Sequence, residues 1–317
     1  MMTLNQRAAL ICDEARERAD ELRIAFRSCE SGATIIDCGI DSPGGLAAGR
    51  VLACVCMAGL GEVQLTASSE FAGASLSVEV ATDHPIAACM ASQYAGWQVS
   101  VEGFFAMGSG PMRAAAGNEE LYSHIGYLEK QPDAAVGVLE TRQLPTPEVC
   151  QYIAAKCRVD IKRVYLLVAP TASIAGNLQV VARSAETALH KLHEIGFPLS
   201  AIQSVSGSAP LPPVAAKDLA GIGRTNDAVL YGGRVCLWVA CEDDVIEELG
   251  PRVPSSASGD FGRPFAEIFG HYKHDFYKID PHLFSPAMVT FNNLKSGRAL
   301  TFGQIRPDLL EKSFLEG

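Results

Sequence analysis

Helix and strand patterns alternate along both halves of this 317-residue chain, which limits the folds open to it. The predicted strands are residues 33–38, 63–66, 99–102, 164–169, 227–231 and 234–240. The predicted helices are residues 4–26, 83–93, 147–157 and 173–195. A chain of this length usually holds two domains. We therefore predict an α+β or α/β protein with domains at about 1–160 and 161–317 and a substrate cleft between them.

Local signals mark several ends of these elements. Thr3 and Gln6 form a capping-box pattern that opens the first helix. Thr146, a cap residue followed by proline, opens the helix that runs through Cys157. The pair Gly232-Gly233 separates two strand patterns, and this arrangement predicts a hairpin with a two-residue turn.

Charge and composition exclude one class of function. The chain carries 26 Lys and Arg against 36 Asp and Glu, a formal net charge of −10, and no basic run. Because binding to nucleic acid requires a concentrated basic face, no nucleic-acid partner is expected. Apolar residues make up 48% of the chain and charged residues 20%, which predicts extensive buried surface and leaves room for contacts between subunits.

The cysteines and the apolar segments indicate the cellular compartment of the protein. Several of the ten cysteines lie inside apolar runs such as 51–57 and 234–238, which favours buried reduced thiols over disulfides. The N-terminal segment reaches Asp13 and Glu17 early and lacks the apolar core of a secretory signal. The longest apolar run, 51–60, is half of the roughly 20 residues that span a bilayer. We expect a soluble cytoplasmic protein with no membrane partner.

The segment 173–195 contains an arginine and a glutamate three residues apart, and in a helix Arg183 and Glu186 lie on one face. Apolar or small residues form a neighbouring buried stripe at Leu178, Ala182, Ala185, Leu189 and Leu192. The polar row therefore borders the stripe, as expected at the rim of a groove. Such a pair can activate water, although most pairs at this spacing only decorate a solvated surface.

A glycine-rich turn occupies residues 108–114. Its Gly108, Ser109 and Gly110 expose backbone N–H groups near Arg113, a combination that suits a phosphate or carboxylate. The spacing matches neither a dinucleotide fingerprint nor a P-loop. A tight connection between two elements explains the same residues equally well.

Two further groups of residues are candidates for binding a ring. Asn226 and Asp227 stand at the entrance of the predicted strand 227–231, where polar side chains can converge on a heterocycle. Local turn chemistry is the simpler explanation there. Tyr94 and Trp97 end a predicted helix and can line a pocket for an aromatic ring, although such residues usually pack in the core or at its rim.

Other kinds of site find little support. The pairs His190/His193 and His271/His274 have a spacing that suits metal ligands, but matching carboxylate or cysteine partners are not apparent, and no metal is expected. The serine-rich turns lack the G-x-S-x-G elbow of a serine hydrolase.

Four motifs in this order resemble methenyltetrahydromethanopterin cyclohydrolase, and the resemblance spans nearly the whole chain. They are residues 92–97 (SQYAGW), 108–114 (GSGPMRA), 183–186 (RSAE) and 225–233 (TNDAVLYGG). The resemblance implies two intertwined α+β domains around a deep pocket, a homotrimer, and no metal or redox cofactor. It also implies that Arg183 and Glu186 carry the chemistry.

The implied reaction is reversible hydrolysis of the cyclic methenyl cation of tetrahydromethanopterin to the formyl derivative. Glu186 is the predicted general base, which burial strengthens and Arg183 weakens, and Arg183 is predicted to hold the carboxylate and the water in line. Arg113 is predicted to receive an anionic part of the substrate, and Asn226 and Asp227 to read the pterin amide edge. The predicted substrate contacts are Gln93, Tyr94, Gly108, Ser109, Gly110, Arg113, Ser184, Asn226 and Asp227.

Two rival functions stay open. One is a pterin-binding carrier or sensor without turnover, and the other is a pterin-dependent formyltransferase, which needs a pocket for a second substrate. The sequence does not distinguish full methanopterin from a shortened form, nor the formyl-forming direction from its reverse.

Overall fold

The computed structural model describes residues 2–316. Its strands are β1 (Ala25–Ser28), β2 (Thr34–Asp37), β3 (Glu62–Phe71), β4 (Ala74–Thr82), β5 (Trp97–Val101), β6 (Phe104–Ser109), β7 (Ala135–Glu140), β8 (Val164–Ala169), β9 (Ile202–Pro210), β10 (Arg234–Val239), β11 (Met288–Asn293) and β12 (Ala299–Gly303). Its α-helices are α1 (Leu4–Glu17), α2 (Ala19–Leu22), α3 (Leu46–Cys56), α4 (Met112–Ala116), α5 (Leu121–Ile125), α6 (Pro147–Cys157), α7 (Ile174–Val181), α8 (Ser184–Glu194), α9 (Asp218–Gly232), α10 (Asp243–Leu249), α11 (Phe265–His271) and α12 (Pro307–Glu311). π-helical segments span Ile86–Gln93 and Lys312–Glu316, and short 3₁₀ turns connect other elements.

The chain forms two compact units, each built from two segments. Unit 1 contains Met1–Gly61 and Ile86–Gln179, and unit 2 contains Glu62–Pro85 and Val180–Gly317. The segment Glu62–Pro85 from the first half of the chain supplies the β3–β4 hairpin of unit 2, and the rest of unit 2 begins at Val180. The predicted domains at about 1–160 and 161–317 stay a prediction. Mixed sheets and helices in both units confirm the predicted α+β two-domain class.

Unit 1 is a six-stranded mixed sheet with the strand order β1-β2-β8-β7-β6-β5. Strands β2, β8 and β7 run parallel. Both faces are covered, because α1 and α3 pack on one side and α4 and α6 on the other. Successive residues of β8 lie on opposite faces of the sheet. Leu167 packs with α1 and α3, whereas Leu166 and Val168 pack on the side of α4 and α6.

Unit 2 is a second six-stranded sheet, with the order β12-β11-β10-β9-β4-β3. Its neighbouring strands are antiparallel except for the pair β10 and β11. Helix α8 packs against β4, β9 and β10. The close approach depends on Gly207 of β9, since a Cβ atom there would lie 2.5 Å from the Ser184 hydroxyl and 2.9 Å from the Ala185 backbone nitrogen.

Several predicted elements are confirmed. The Thr3 side chain accepts from the N–H of Gln6, whose side chain accepts from the N–H of Thr3, so the capping box is present. Helix α6 begins after the Thr146 cap and ends at Cys157, as predicted. Strands β2, β3, β5, β8 and β10 occupy the predicted segments. No helix within residues 2–316 combines the length and the apolar character that a membrane crossing requires.

Three predicted elements are wrong in extent or type. The first helix does not reach Phe26, because the chain turns at Arg23 and Phe26 pairs with β2. The segment 173–195 is two helices: Ala175 of α7 packs in the core of unit 1, whereas α8 belongs to unit 2. At the break, the Arg183 N–H bonds to the Val180 carbonyl three residues earlier.

The predicted hairpin at Gly232-Gly233 is also wrong, because residues 227–231 lie inside α9 and only β10 follows. The Thr225 and Asn226 side chains bond to carbonyls four residues earlier in the helix, so they serve the helix and not a turn. Gly223 leaves room for Ala266 of α11. Packing with α11 therefore stabilises a helix in a segment whose local preference for helix is weak.

Candidate functional site

Unit 1 brings the predicted residues 93–94 and 108–113 together. The glycine-rich turn follows β6, and the π-helix Ile86–Gln93 ends beside it: the Gly110 N–H donates to the Ser92 carbonyl at 2.8 Å. The Ser92 hydroxyl in turn donates to the Cys56 carbonyl of α3 at 2.5 Å. Gln93, fully buried, and Tyr94 are thereby held next to the turn.

Each residue of the turn has a local reason for its type. Gly110 has φ +91°, a backbone conformation that favours glycine. A Cβ atom at Gly108 would lie 2.7 Å from the Met112 side chain. The Ser109 hydroxyl lies 3.3 Å from Cys56 Sγ and 3.4 Å from the Val138 carbonyl. The turn therefore packs closely within unit 1, as expected of a tight connection between two elements.

Arg113 has no exposed side-chain surface, and each of its three side-chain nitrogens donates within unit 1. Nε and Nη2 donate to the two carboxylate oxygens of Glu119 at 2.8 and 2.5 Å. Nη1 donates to the Met90 and Ser92 carbonyls at 3.2 and 3.3 Å. A substrate anion that bound Arg113 would have to compete with Glu119, and the predicted anion contact stays a prediction.

A cavity of about 370 Å³ lies beside this ion pair in unit 1. Its lining residues are Gly96, Trp97, Gln98, Arg113, Ala116, Asn118, Glu119, Tyr152 and Lys156. Arg113 borders the cavity but is fully covered, whereas 18% of the Glu119 side chain is exposed. The cavity therefore presents Glu119, and not the guanidinium, as the accessible member of the pair.

Unit 2 places Arg183, Ser184 and Glu186 together at the start of α8. Arg183 is the N-cap residue and Glu186 is the third residue of the helix, so they lie within one turn. Both are buried, with exposed fractions of 8% and 3%. Ser184 is fully buried, and its hydroxyl has no hydrogen-bond partner among residues 2–316. The Arg183 and Glu186 side chains are thus both covered by protein, unlike an arginine and a glutamate on a solvated helix surface.

The α9 residues Asn226 and Asp227 make contacts that belong to the fold. The Asn226 amide donates to the Ile222 carbonyl of its own helix at 2.8 Å. Asp227 is fully buried, and its Oδ1 accepts from the N–H of Phe265, the first residue of α11, at 2.8 Å. Asp227 therefore caps α11, and its contact with a pterin stays a prediction.

Burial raises the pKa of Asp227 to about 7, outweighing the Ser313 and Phe265 hydrogen bonds that lower it. Because the folded pKa exceeds the unfolded one, this carboxyl favours folding most below about pH 4, and the benefit is lost as the pH rises through about 7. Asp227→Asn keeps an acceptor for Phe265 without this loss. Between pH 5 and pH 8 the variant should lose less stability than the wild type, by on the order of 2 kcal/mol.

Urea unfolding of both proteins at pH 5 and pH 8 measures this difference. Asp244→Asn, a substitution at an exposed position in α10, controls for the general loss of a carboxylate. Equal pH dependence in the wild type and Asp227→Asn would show that Asp227 is not the titrating group.

Two residues of these arrangements, Glu119 and Gly207, carry no signal in the sequence. Glu119 lies in a polar loop six residues after Arg113, and nothing in its spacing marks it as the partner of that arginine. Gly207 lies in a small-residue strand, and its importance appears only when α8 is packed on it. Both are revealed by tertiary contacts.

Within residues 2–316, no three His, Cys, Asp or Glu side chains form a group that could hold a metal ion. The expectation that the protein needs no metal or cofactor stays a prediction.

Comparison with known proteins gives a consistent result. A family model described as Cyclohydrolase (MCH) matches residues 3–314. The chain is 50% identical to the methenyltetrahydromethanopterin cyclohydrolase of Rhodopirellula baltica, over 90% of this chain and 86% of the relative. It is 46% identical to the enzyme of that name from Methylobacillus flagellatus (98% and 95% covered) and 43% identical to the one from Methanococcoides burtonii (99% and 98%).

Proposed function

We propose that this chain, which belongs to the methenyltetrahydromethanopterin cyclohydrolase family and is therefore a hydrolase, adds water to 5,10-methenyl-tetrahydromethanopterin and forms the 5-formyl derivative. The reaction is reversible, and its small-molecule substrate is the pterin itself. The observation that carries the proposal is the buried Arg183/Glu186 pair in the first turn of α8.

Glu186 is the proposed general base. The methenyl carbon is already cationic, so the step that needs help is the delivery of water with one proton removed. Glu186 takes that proton as oxygen bonds to the carbon, and it returns the proton to the departing ring nitrogen as the C–N bond breaks. The hydroxyl proton leaves to solvent as the formyl C=O forms. Burial of Glu186 supports this role, because a carboxylate covered by protein can hold one water molecule in a fixed position.

Arg183 is proposed to position the Glu186 carboxylate and the attacking water, and to stabilise the intermediate that forms when water adds. A guanidinium beside a cationic substrate opposes binding in the ground state, but it favours the oxygen-bearing intermediate that follows. As N-cap residue, Arg183 precedes Glu186 by three positions, and its planar fork suits a carboxylate and a water together.

The remaining predicted residues are proposed to contact or support the substrate. The buried Ser184 hydroxyl supports this for unit 2, since it can donate to a bound group without breaking an existing bond. In unit 1, the proposed contacts are Gln93, Tyr94, Gly108, Ser109 and Gly110, and Arg113 is proposed to support them. Asn226 and Asp227 complete the proposed set in α9.

One assay separates the proposed hydrolysis from its rivals. Purified protein is mixed with the methenyl substrate, and loss of the methenyl chromophore is followed with and without a formyl acceptor. The hydrolase consumes the substrate without an acceptor. Binding without consumption would identify a carrier or sensor, and consumption only with an acceptor would identify a formyltransferase.

Gly207→Ala tests whether the placement of α8 sets the activity. The added Cβ would lie 2.9 Å from the Ala185 backbone nitrogen, so the first turn of α8 has to move. We expect turnover to fall by about 10-fold or more, because a displacement of under an ångström disturbs the catalytic geometry. Steady-state kinetics with the methenyl substrate measures the loss.

Gly259→Ala is the matched control, since a Cβ atom there meets nothing within 4 Å. It should keep wild-type turnover. If Gly207→Ala were as active as this control, the start of α8 would not set the catalytic geometry.

We further propose a homotrimer in the cytoplasm, as the resemblance and the sequence imply. High apolar content supports association. Sedimentation at micromolar concentration should give a trimer, and a monomer alone would contradict it.

A further inference from the structure

Three successive carbonyls at the end of the π-helix Ile86–Gln93 accept hydrogen bonds from one neighbouring segment. Arg113 Nη1 donates to the Met90 and Ser92 carbonyls. The Tyr122 hydroxyl donates to the Ala91 carbonyl at 2.8 Å. The Gly110 N–H also donates to Ser92. The segment 110–122 thus binds the last turn of the π-helix residue by residue.

These contacts satisfy groups that a helix end otherwise leaves without partners. The last carbonyls of any helix lack intrahelical donors, and π-helical turns are uncommon and often lie at functional sites. Here the Tyr94 N–H still bonds to the Cys89 carbonyl five residues earlier, in the π pattern. The side chains that cap the following carbonyls therefore define where the π-helix ends and how Gln93 and Tyr94 leave it.

The charge of Arg113 is compensated inside unit 1. Glu119 binds the guanidinium through two oxygens, and the Tyr94 ring lies 4.8 Å from the guanidinium carbon. Gly96 leaves space for both partners, because a Cβ there would lie 2.6 Å from the Tyr94 ring and would overlap the Glu119 carboxylate. A buried, paired and fully covered arginine serves the fold around it and is closed to a ligand.

We infer that Arg113, neutralised by Glu119, is a positioning residue that fixes the end of the π-helix and thereby presents Gln93 and Tyr94 to the substrate. The inference rests on the proposed function only in naming the pterin as the group that these two residues meet. It replaces the anion-receptor role with one in which the guanidinium acts through backbone carbonyls.

The kinetic test compares two substrates. Arg113→Lys is assayed with the full methenyl substrate and with an analogue from which the anionic groups of the side chain have been removed. A positioning residue affects both alike, so we expect kcat/KM to fall by about 10- to 100-fold with each. A fall confined to the substrate with anionic groups would show an anion receptor and overturn the inference.

A second measurement does not depend on activity. Amide hydrogen exchange across residues 86–94 should become at least about 10-fold faster in Arg113→Lys, because the guanidinium that caps the helix carbonyls is lost. Exchange at the wild-type rate would overturn the positioning role even if turnover fell. If the wild type proved inactive towards the pterin, the exchange result would still decide the inference.

Two further variants complete the test. Tyr122→Phe removes only the hydroxyl that binds the Ala91 carbonyl, so it should speed exchange in the same segment to a smaller extent, and it serves if Arg113→Lys does not fold. Arg158→Lys is the matched control, since Arg158 also donates to a carbonyl in unit 1, that of Ala115, but not in the π-helix. It should leave exchange at 86–94 and kcat/KM unchanged, and faster exchange there would overturn the assignment to Arg113.

Discussion

Glu186→Gln is expected to lower turnover by about 10²–10⁴-fold while substrate affinity stays near the wild-type value. The amide keeps the shape of the buried side chain but has no basic oxygen for the proton of the attacking water. Because the methenyl cation still binds, the loss should appear in kcat and not in KM. Steady-state kinetics on the methenyl chromophore gives both values.

Glu194→Gln is the matched control, on the same helix but with 44% of the side chain exposed. It should retain full turnover. Near wild-type turnover in Glu186→Gln would remove Glu186 from the role of base, and an equal loss in both variants would indicate damage to α8.

Arg183→Ala is expected to lower kcat by on the order of 10²-fold, while substrate affinity stays unchanged or improves slightly. The guanidinium repels the cationic ground state but stabilises the oxygen that appears after water adds. Removing it therefore destabilises only the state after water has added. This is the kinetic pattern of an interaction made chiefly in the transition state. Direct binding measurements and steady-state kinetics separate the two effects.

Arg183→Lys should restore little of this loss, since an ammonium keeps the charge but lacks the fork that holds a carboxylate and a water together. Arg298→Ala, which removes a half-exposed arginine from unit 2, controls for the loss of a positive charge. A raised KM with unchanged kcat in Arg183→Ala would make Arg183 a binding residue only.

Local signals in the sequence predicted those elements whose ends are set by neighbouring residues. The capping box at Thr3 and the cap at Thr146 both act over three residues, and both helices begin as predicted. The apolar run of β8 also predicts its strand, because a strand covered on both faces leaves no polar positions.

The sequence failed where distant residues decide the outcome. The break between α7 and α8 depends on the division of that segment between two cores, which no window of residues contains. Helix α9 stands where a hairpin was predicted, because α11 packs on its Gly223.

The same distinction applies to the candidate site. The spacing of Arg183 and Glu186 placed them in one helical turn, and the structure keeps them there although the helix begins between them. For Arg113 and Asp227 the residue type was suggestive of binding, but their partners, Glu119 and the N–H of Phe265, lie in segments that carry no recognisable signal.

Hydrolysis of the methenyl pterin is proposed to use a water molecule that is activated at the start of α8. A single-turnover reaction in ¹⁸O-labelled water, with enzyme in excess over the methenyl substrate and no second substrate, tests it most directly. We expect a formyl product that carries one solvent oxygen and forms far faster than in buffer alone. A bound substrate whose chromophore decays no faster than in buffer would contradict it.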